Sequence, residues 1–166
     1  MTRAMRFSTI LGFAAAAALL DQASKWLIVE FVMQPPRSIE IAPFLNVVLG
    51  VNRGISFGML GDSLADRQNM LIAFKSLIVV GLLAWAWQTK FRGERIGISL
   101  VAGGAIGNIL DRWRNGGVTD FIDFHWSGWH WPAFNVADIA ITTGVAVIFA
   151  STFIETGKPV SPKGQT

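Results

Sequence analysis

Four stretches of this chain stay largely apolar for about 20 residues, the length an α-helix needs to cross a bilayer's hydrocarbon core. They run roughly from Phe7 to Val32, Met70 to Trp87, Ile96 to Asn115 and Phe134 to Ile154. Lipid cannot satisfy free backbone groups, so each stretch is expected as a helix. The composition fits this. Of the 166 residues, 52% are hydrophobic and 15% charged, against roughly 25% charged in an ordinary soluble domain. The expected fold is an all-α integral membrane protein with four transmembrane helices. One domain would cover residues 1–157 and a flexible cytoplasmic tail residues 158–166. The formal charge is +3, but Lys and Arg are scattered rather than clustered, so a nucleic-acid partner is not expected. With no cysteine, disulfides, thiolate metal sites and a cysteine nucleophile are excluded.

The start of the chain has a competing reading. Arg3 and Arg6 precede an apolar run, and Ala16-Ala17-Ala18 offers small residues of the kind a leader peptidase cuts. Hydrophobicity resumes as WLIVEFVM after Lys25, which favours one longer, uncleaved helix. Four crossings place both termini on one side. Lys90, Arg92 and Arg95 lie in a short connection on that side, with Arg3, Arg6, Lys158 and Lys163 in the tails. The other seven basic residues lie on the opposite side and in the helix interiors, so the raw count ties, but the concentration in one short loop and two short tails favours this side as cytoplasmic. Segments 33–69 and 116–133 then face outward.

In the first outer segment Pro35, Pro36 and Pro43 oppose a helix. IEIAPFLNVVLGV reads as short strands, with turn formers at Asn52 and Gly54. A small β-rich arm on the membrane surface is expected between the first two helices. The second outer segment carries His125, Trp126, Trp129, His130 and Trp131. Two histidines without a third ligand at metal spacing fit an interfacial aromatic belt better than a metal site.

Charges inside or beside spans are costly and need reasons. Asp21 and Lys25 are four apart, on one helix face, and can pair. Lys75 reads as a snorkelling side chain. On the third span Gly104, Asn108, Asp111 and Asn115 form one polar stripe, with Arg112 beside it. Such a stripe should face the bundle interior. Gly116-Gly117 ends that helix and Asp120 follows in an extended stretch. Asn135 and Asp138 open the fourth helix. Carboxylates from three elements thus reach one depth, an arrangement suited to acid–base chemistry on water. A proton-coupled transporter would also use intramembrane aspartates, but no repeated halves are visible. A non-catalytic assembly protein would not require two aspartates outside the stripe. A presenilin-type protease would want G-x-G-D, and Leu60-Gly61-Asp62 lacks the first glycine.

Four ordered blocks carry a resemblance: LDQASK at 20–25, NRGISF at 52–57, GGAIGNILDRWRNGGVTDF at 103–121 and FNVADIAI at 134–141. With these the chain resembles the signal peptidase II family, bacterial aspartic membrane proteases that process lipoproteins. The resemblance implies an endopeptidase that removes the signal peptide of prolipoproteins just before a diacylglyceryl-modified cysteine. It implies the bacterial cytoplasmic (inner) membrane, cytoplasmic termini and an active site near the outer leaflet. By position, Val118-Thr119-Asp120-Phe121 and Phe134-Asn135-Val136-Ala137-Asp138 make Asp120 and Asp138 the catalytic pair. Asp111 with Arg112 becomes a supporting pair. Asp21, Lys25, Asn52, Gly54, Gly104, Asn108 and Asn135 surround the pocket. Asp123 falls outside the motif and reads as a loop charge. The implied partners are diacylglyceryl-modified precursors, membrane lipids and cyclic peptide inhibitors such as globomycin. No cofactor and no metal is implied.

Overall fold

The computed structural model describes residues 2–54 and 67–156. Residues 55–57 of the second block, Leu60-Gly61-Asp62 and the 158–166 tail lie outside the described residues.

Helix α1 spans Arg3–Leu27 and continues through a π-helical turn, Ile28–Val32. Thr2 caps it, its side-chain oxygen accepting the Met5 N–H at 3.3 Å. The helix thus begins four residues earlier than the apolar run suggests. Helix α2 spans Gln68–Gln88, α3 Arg92–Asn115 and α4 Val136–Thr156. Among the described residues, three helical stretches are long and apolar enough to cross a membrane: Arg3–Val32, Gln68–Gln88 and Val136–Ile154. Helix α3 is as long but far more polar. It buries Arg95, Ser99, Asn108, Asp111 and Arg112 along with Gly97, Gly103, Gly104 and Gly107, and it packs against the other three helices. Large apolar side chains on those three point outward, among them Leu19, Leu77 and Phe153. The bundle is therefore apolar outside and polar along its axis.

Gly116 ends α3 with φ +66°, the left-handed conformation that glycine adopts without steric cost, and its N–H returns to Arg112 O at 3.0 Å. At the opposite end α3 begins at Arg92, which leaves a connection of only three residues. Arg95 is consequently not a loop charge. It is fully buried and donates to the carbonyls of Ala86 and Thr89 at the C-terminus of α2.

A four-stranded antiparallel sheet, order β1-β2-β3-β4, sits where α3 ends and α4 begins. Its strands are β1 Ile39–Ala42, β2 Leu45–Asn52, β3 Val118–Trp126 and β4 Trp129–His130. The sheet is larger than the arm expected from the first outer segment alone. The second outer segment supplies two of its strands, β2 pairing with β3 through Asn46↔Asp123, Gly50↔Asp120 and Asn52↔Val118. A two-residue turn, Ser127-Gly128, joins β3 to β4 with φ +48° and +82°, the pattern of tight hairpins. Exposed Trp126 and Trp129 pair across it.

Candidate active site

Two backbone features bring Asp120 to the start of α4. Strand β3 runs along β2 on one side. On its other side Phe134 bridges Ile122: the Phe121 and Ile122 N–H groups donate to Phe134 O at 3.0 and 2.9 Å, and Phe134 N–H donates to Ile122 O at 3.0 Å. The residue after Phe134 is Asn135, so Asn135 and Asp120 are forced together.

Asn135 is fully buried and caps α4. Its Oδ1 accepts the Asp138 N–H at 3.0 Å, while Asp138 Oδ2 accepts the Asn135 N–H at 3.2 Å. This reciprocal cap ties the Asp138 carboxylate to the helix start. Because Oδ1 is committed to a donor, the Asn135 amide NH2 turns the other way and donates to Asp120 Oδ1 at 2.6 Å. One residue thus holds both carboxylates, Asp120 through its side-chain amide and Asp138 through its backbone N–H.

Asn108 is oriented by the same logic. Lysine has only donors to offer, and Lys25 Nζ donates to Asn108 Oδ1 at 3.1 Å. The NH2 therefore faces Asp138 and donates to its Oδ1 at 3.1 Å. Lys25 in turn is fixed by ion pairs with Asp21 at 2.8 Å and Asp111 at 3.0 Å. Asp21 accepts the Ala137 N–H at 2.9 Å, a second bond on the first turn of α4. Asp111 accepts the Thr119 N–H at 2.9 Å, next to Asp120. A buried network thus runs from α1 through α3 to both carboxylates. Its lysine is ion-paired with both Asp21 and Asp111, as burial requires.

Asp120, Asp138, Asn52, Asn108, Arg112 and Lys75 line one cavity of about 280 Å³, with Val118, Ala133, Ile141 and Thr142. Burial, followed by the neighbouring Asp138 charge, pushes the Asp120 carboxyl up to about 6, against side-chain hydrogen bonds from Asn52 and Asn135. Two carboxylates lining one cavity, one of them raised, suit proton exchange with a water or a polar substrate in that cavity. An apolar groove lined by Trp131, Phe134, Ile139, Thr142 and Thr143 also reaches Asp138.

The structure assembles the residues singled out from sequence, with four departures. Asp111 and Arg112, expected as a supporting pair, have separate partners. Asp111 serves Lys25 and Thr119, while Arg112 donates to Gly54 O at 2.7 Å and Asn108 O at 3.4 Å. Adjacent residues on a helix point about 100° apart, which divides their tasks. Asn115, at the end of the expected stripe, is exposed. Asp123 is no loop charge. It is buried on β3, accepts from Asn46 Nδ2 at 3.0 Å and lies 2.9 Å from His130 Nδ1. Burial raises the Asp123 carboxyl, yet His130 and Asn46 outweigh it and hold the group below its ordinary value. His130 also stacks on His125, ring centroids 5.1 Å apart. Finally, Lys75 lines the cavity instead of snorkelling.

Sequence reasoning missed Gln22, whose Nε2 donates to Asp111 Oδ1 at 3.0 Å and Gly107 O at 3.2 Å. Its place inside LDQASK was the available signal. Gly104 permits the close approach of α3 and α4. A Cβ there would lie 2.5 Å from Ala137 O, one residue from Asp138.

Comparison with known proteins agrees with this architecture. The family model described as signal peptidase (SPase) II matches residues 13–154. A lipoprotein signal peptidase of Rhizorhabdus wittichii is 46% identical over 140 residues, covering 82% of this chain and 81% of the relative. One from Serratia marcescens is 35% identical over 145 residues, covering 87% and 85%. A bacterial membrane enzyme solved by the in meso method at 2.3 Å resolution has a TM-score of 0.78 at 28% identity, covering 95% of this chain and 94% of its own. With its match running through most of α1, all of α2 and α3 and into α4, the chain belongs to the signal peptidase II family.

Proposed function

We propose that this protein is an aspartic endopeptidase that removes the signal peptide from prolipoproteins, cutting before the diacylglyceryl-modified cysteine. The observation that carries the proposal is the shared anchoring of Asp120 and Asp138 by Asn135 at one cavity wall. The two carboxylates share one proton, since both ionise only at high cost at this depth. Asp138, fixed as an acceptor by Asn108 and by the Asn135 N–H, takes a proton from a water. That water attacks the carbonyl carbon of the residue preceding the cysteine. Asp120, whose carboxyl is pushed up to about 6, donates its proton toward the carbonyl oxygen. Collapse of the tetrahedral species breaks the C–N bond: the proton taken from water passes from Asp138 to the leaving nitrogen, and a hydroxyl on the former carbonyl carbon returns a proton to Asp120.

Helix α3 is the fourth crossing in this reading, its polar face screened from lipid by the other three helices. Both termini are cytoplasmic and the sheet end lies at the outer leaflet of the bacterial inner membrane. Cyclic peptides of the globomycin type would occupy the cavity as inhibitors. The test is cleavage of a diacylglyceryl-modified precursor by purified protein in detergent. Asp120→Asn and Asp138→Asn should each reduce cleavage by at least about 10³-fold, the scale of general acid–base catalysis, with helical content retained by circular dichroism. A folded Asp138→Asn protein cutting at the wild-type rate overturns the pair.

A further inference from the structure

Lys75 is the one residue among those lining the cavity that comes from α2. It lies seven residues into that helix, about 10 Å along its axis. A snorkelling lysine would carry its ammonium along the stem to the membrane surface. This one is half-buried at the cavity wall shared by the two aspartates. The structure gives it no hydrogen bond and no ion pair within 4.0 Å among the described residues, so its charge acts on the cavity as a whole.

The charged groups that face it come from three elements: Asp120 on β3, Asp138 on α4 and Arg112 on α3. β2 adds the neutral Asn52. Lys25 of α1 stands behind Asn108 and is paired with Asp21 and Asp111. Arg112 is partly committed to the carbonyls of Gly54 and Asn108. Lys75 is thus the cation of this wall that is not drawn onto backbone carbonyls. A positive charge that senses both aspartates stabilises the pair with one proton lost relative to the pair with both protons bound.

We propose that Lys75 is a positioning residue of the site, whose ammonium keeps the Asp120–Asp138 pair singly ionised and thereby sets the acid limb of the activity profile. It touches neither the water nor the scissile bond, and it acts through the aspartates. The inference rests on the peptidase reading above.

The sign follows from charge. Removing the ammonium makes the first ionisation of the pair harder, so the acid limb moves to higher pH. The test measures kcat/KM against pH for wild type, Lys75→Met, Lys75→Gln and Lys75→Arg on the diacylglyceryl-modified precursor in detergent. Both neutral variants should shift the acid limb upward by about one pH unit. That is about a tenfold loss on the acidic side, closing toward wild type on the plateau. Lys75→Arg, which keeps the charge, should follow wild type. A folded neutral variant with an unmoved limb, or one whose loss is uniform across pH, overturns the inference. So does loss of helicity in both neutral variants, which would make the lysine a structural element. A wild-type protein without cleavage overturns the peptidase reading itself, whereas cleavage with an unmoved limb overturns the role of Lys75 alone.

Discussion

At Asp120 the protein accepts a local cost. The side chain is nearly enclosed and shares its cavity with Asp138, and its carboxyl is pushed up to about 6. A folded-state value above the ordinary one means that its contribution to stability is fully present below about pH 4. That contribution is lost as the pH rises through about 6. Asp120→Asn keeps an oxygen for the Asn135 amide but removes the ionisation. The variant should therefore be more stable than wild type at pH 8, by about 2–3 kcal/mol, while near pH 4 the two should melt alike. Thermal unfolding in detergent at both pH values checks this, and an equal difference at both would refute it. Asp123 has the opposite sign. Its carboxyl is held low by His130 and Asn46 against the effect of burial, so its contribution is present above about pH 4 and lost as the pH falls through its depressed value. Asp123→Asn should keep catalysis, because this carboxylate faces the sheet and not the cavity. It should lower stability at neutral pH by about 1–3 kcal/mol, the scale of a charge-assisted hydrogen bond, with the difference shrinking in acid.

At the scale of elements, α3 and the first turn of α4 form the joint on which the site depends. Gly104 sits at that joint, where an added side chain meets Ala137 O. Gly104→Val should destabilise the protein by about 1–3 kcal/mol. It should lower kcat far more, on the order of 10²-fold, because a shift of about 1 Å in a reacting group is enough for that. Gly81→Val is the control, since a Cβ at Gly81 meets nothing within 4 Å. Comparable kcat loss in both variants would argue against the joint. Helices α1, α2 and α4 were legible in the sequence because apolar length alone specifies them. The polar stripe of α3 was legible because three- and four-residue spacing marks a helix face. β3 was harder to read: VTDFIDFHW is nearly all buried at its start, so it lacks the polar–apolar alternation that marks a half-exposed strand. Its partner β2 also lies some 70 residues earlier, beyond the reach of local pattern. The direction of Lys75 was illegible for a related reason. A lone cation on an apolar helix has no partner in the sequence, and only packing decides whether it leaves the membrane or enters a cavity.

At the scale of the whole molecule, polarity is inverted relative to a soluble protein. Charged groups are paired along the axis of the bundle, and phenylalanine, leucine and tryptophan face outward. A cavity lined by polar and charged groups therefore opens beside apolar surroundings. The groove of Trp131, Phe134 and Ile139 meets that cavity at Asp138. A substrate with acyl chains on the residue after the scissile bond can place them on such a surface while its peptide bond enters the cavity. Each buried methylene contributes about 0.8 kcal/mol, so four of them amount to about 3 kcal/mol, or roughly 100-fold in binding. A precursor with an unmodified cysteine should therefore show a kcat/KM at least about 100-fold lower than its diacylglyceryl form. The deficit should shrink progressively for analogues with longer single chains. Matched precursors differing only in that modification, assayed with the same detergent and enzyme, decide the question. Equal kcat/KM for the two would mean that the apolar groove plays no part in substrate choice.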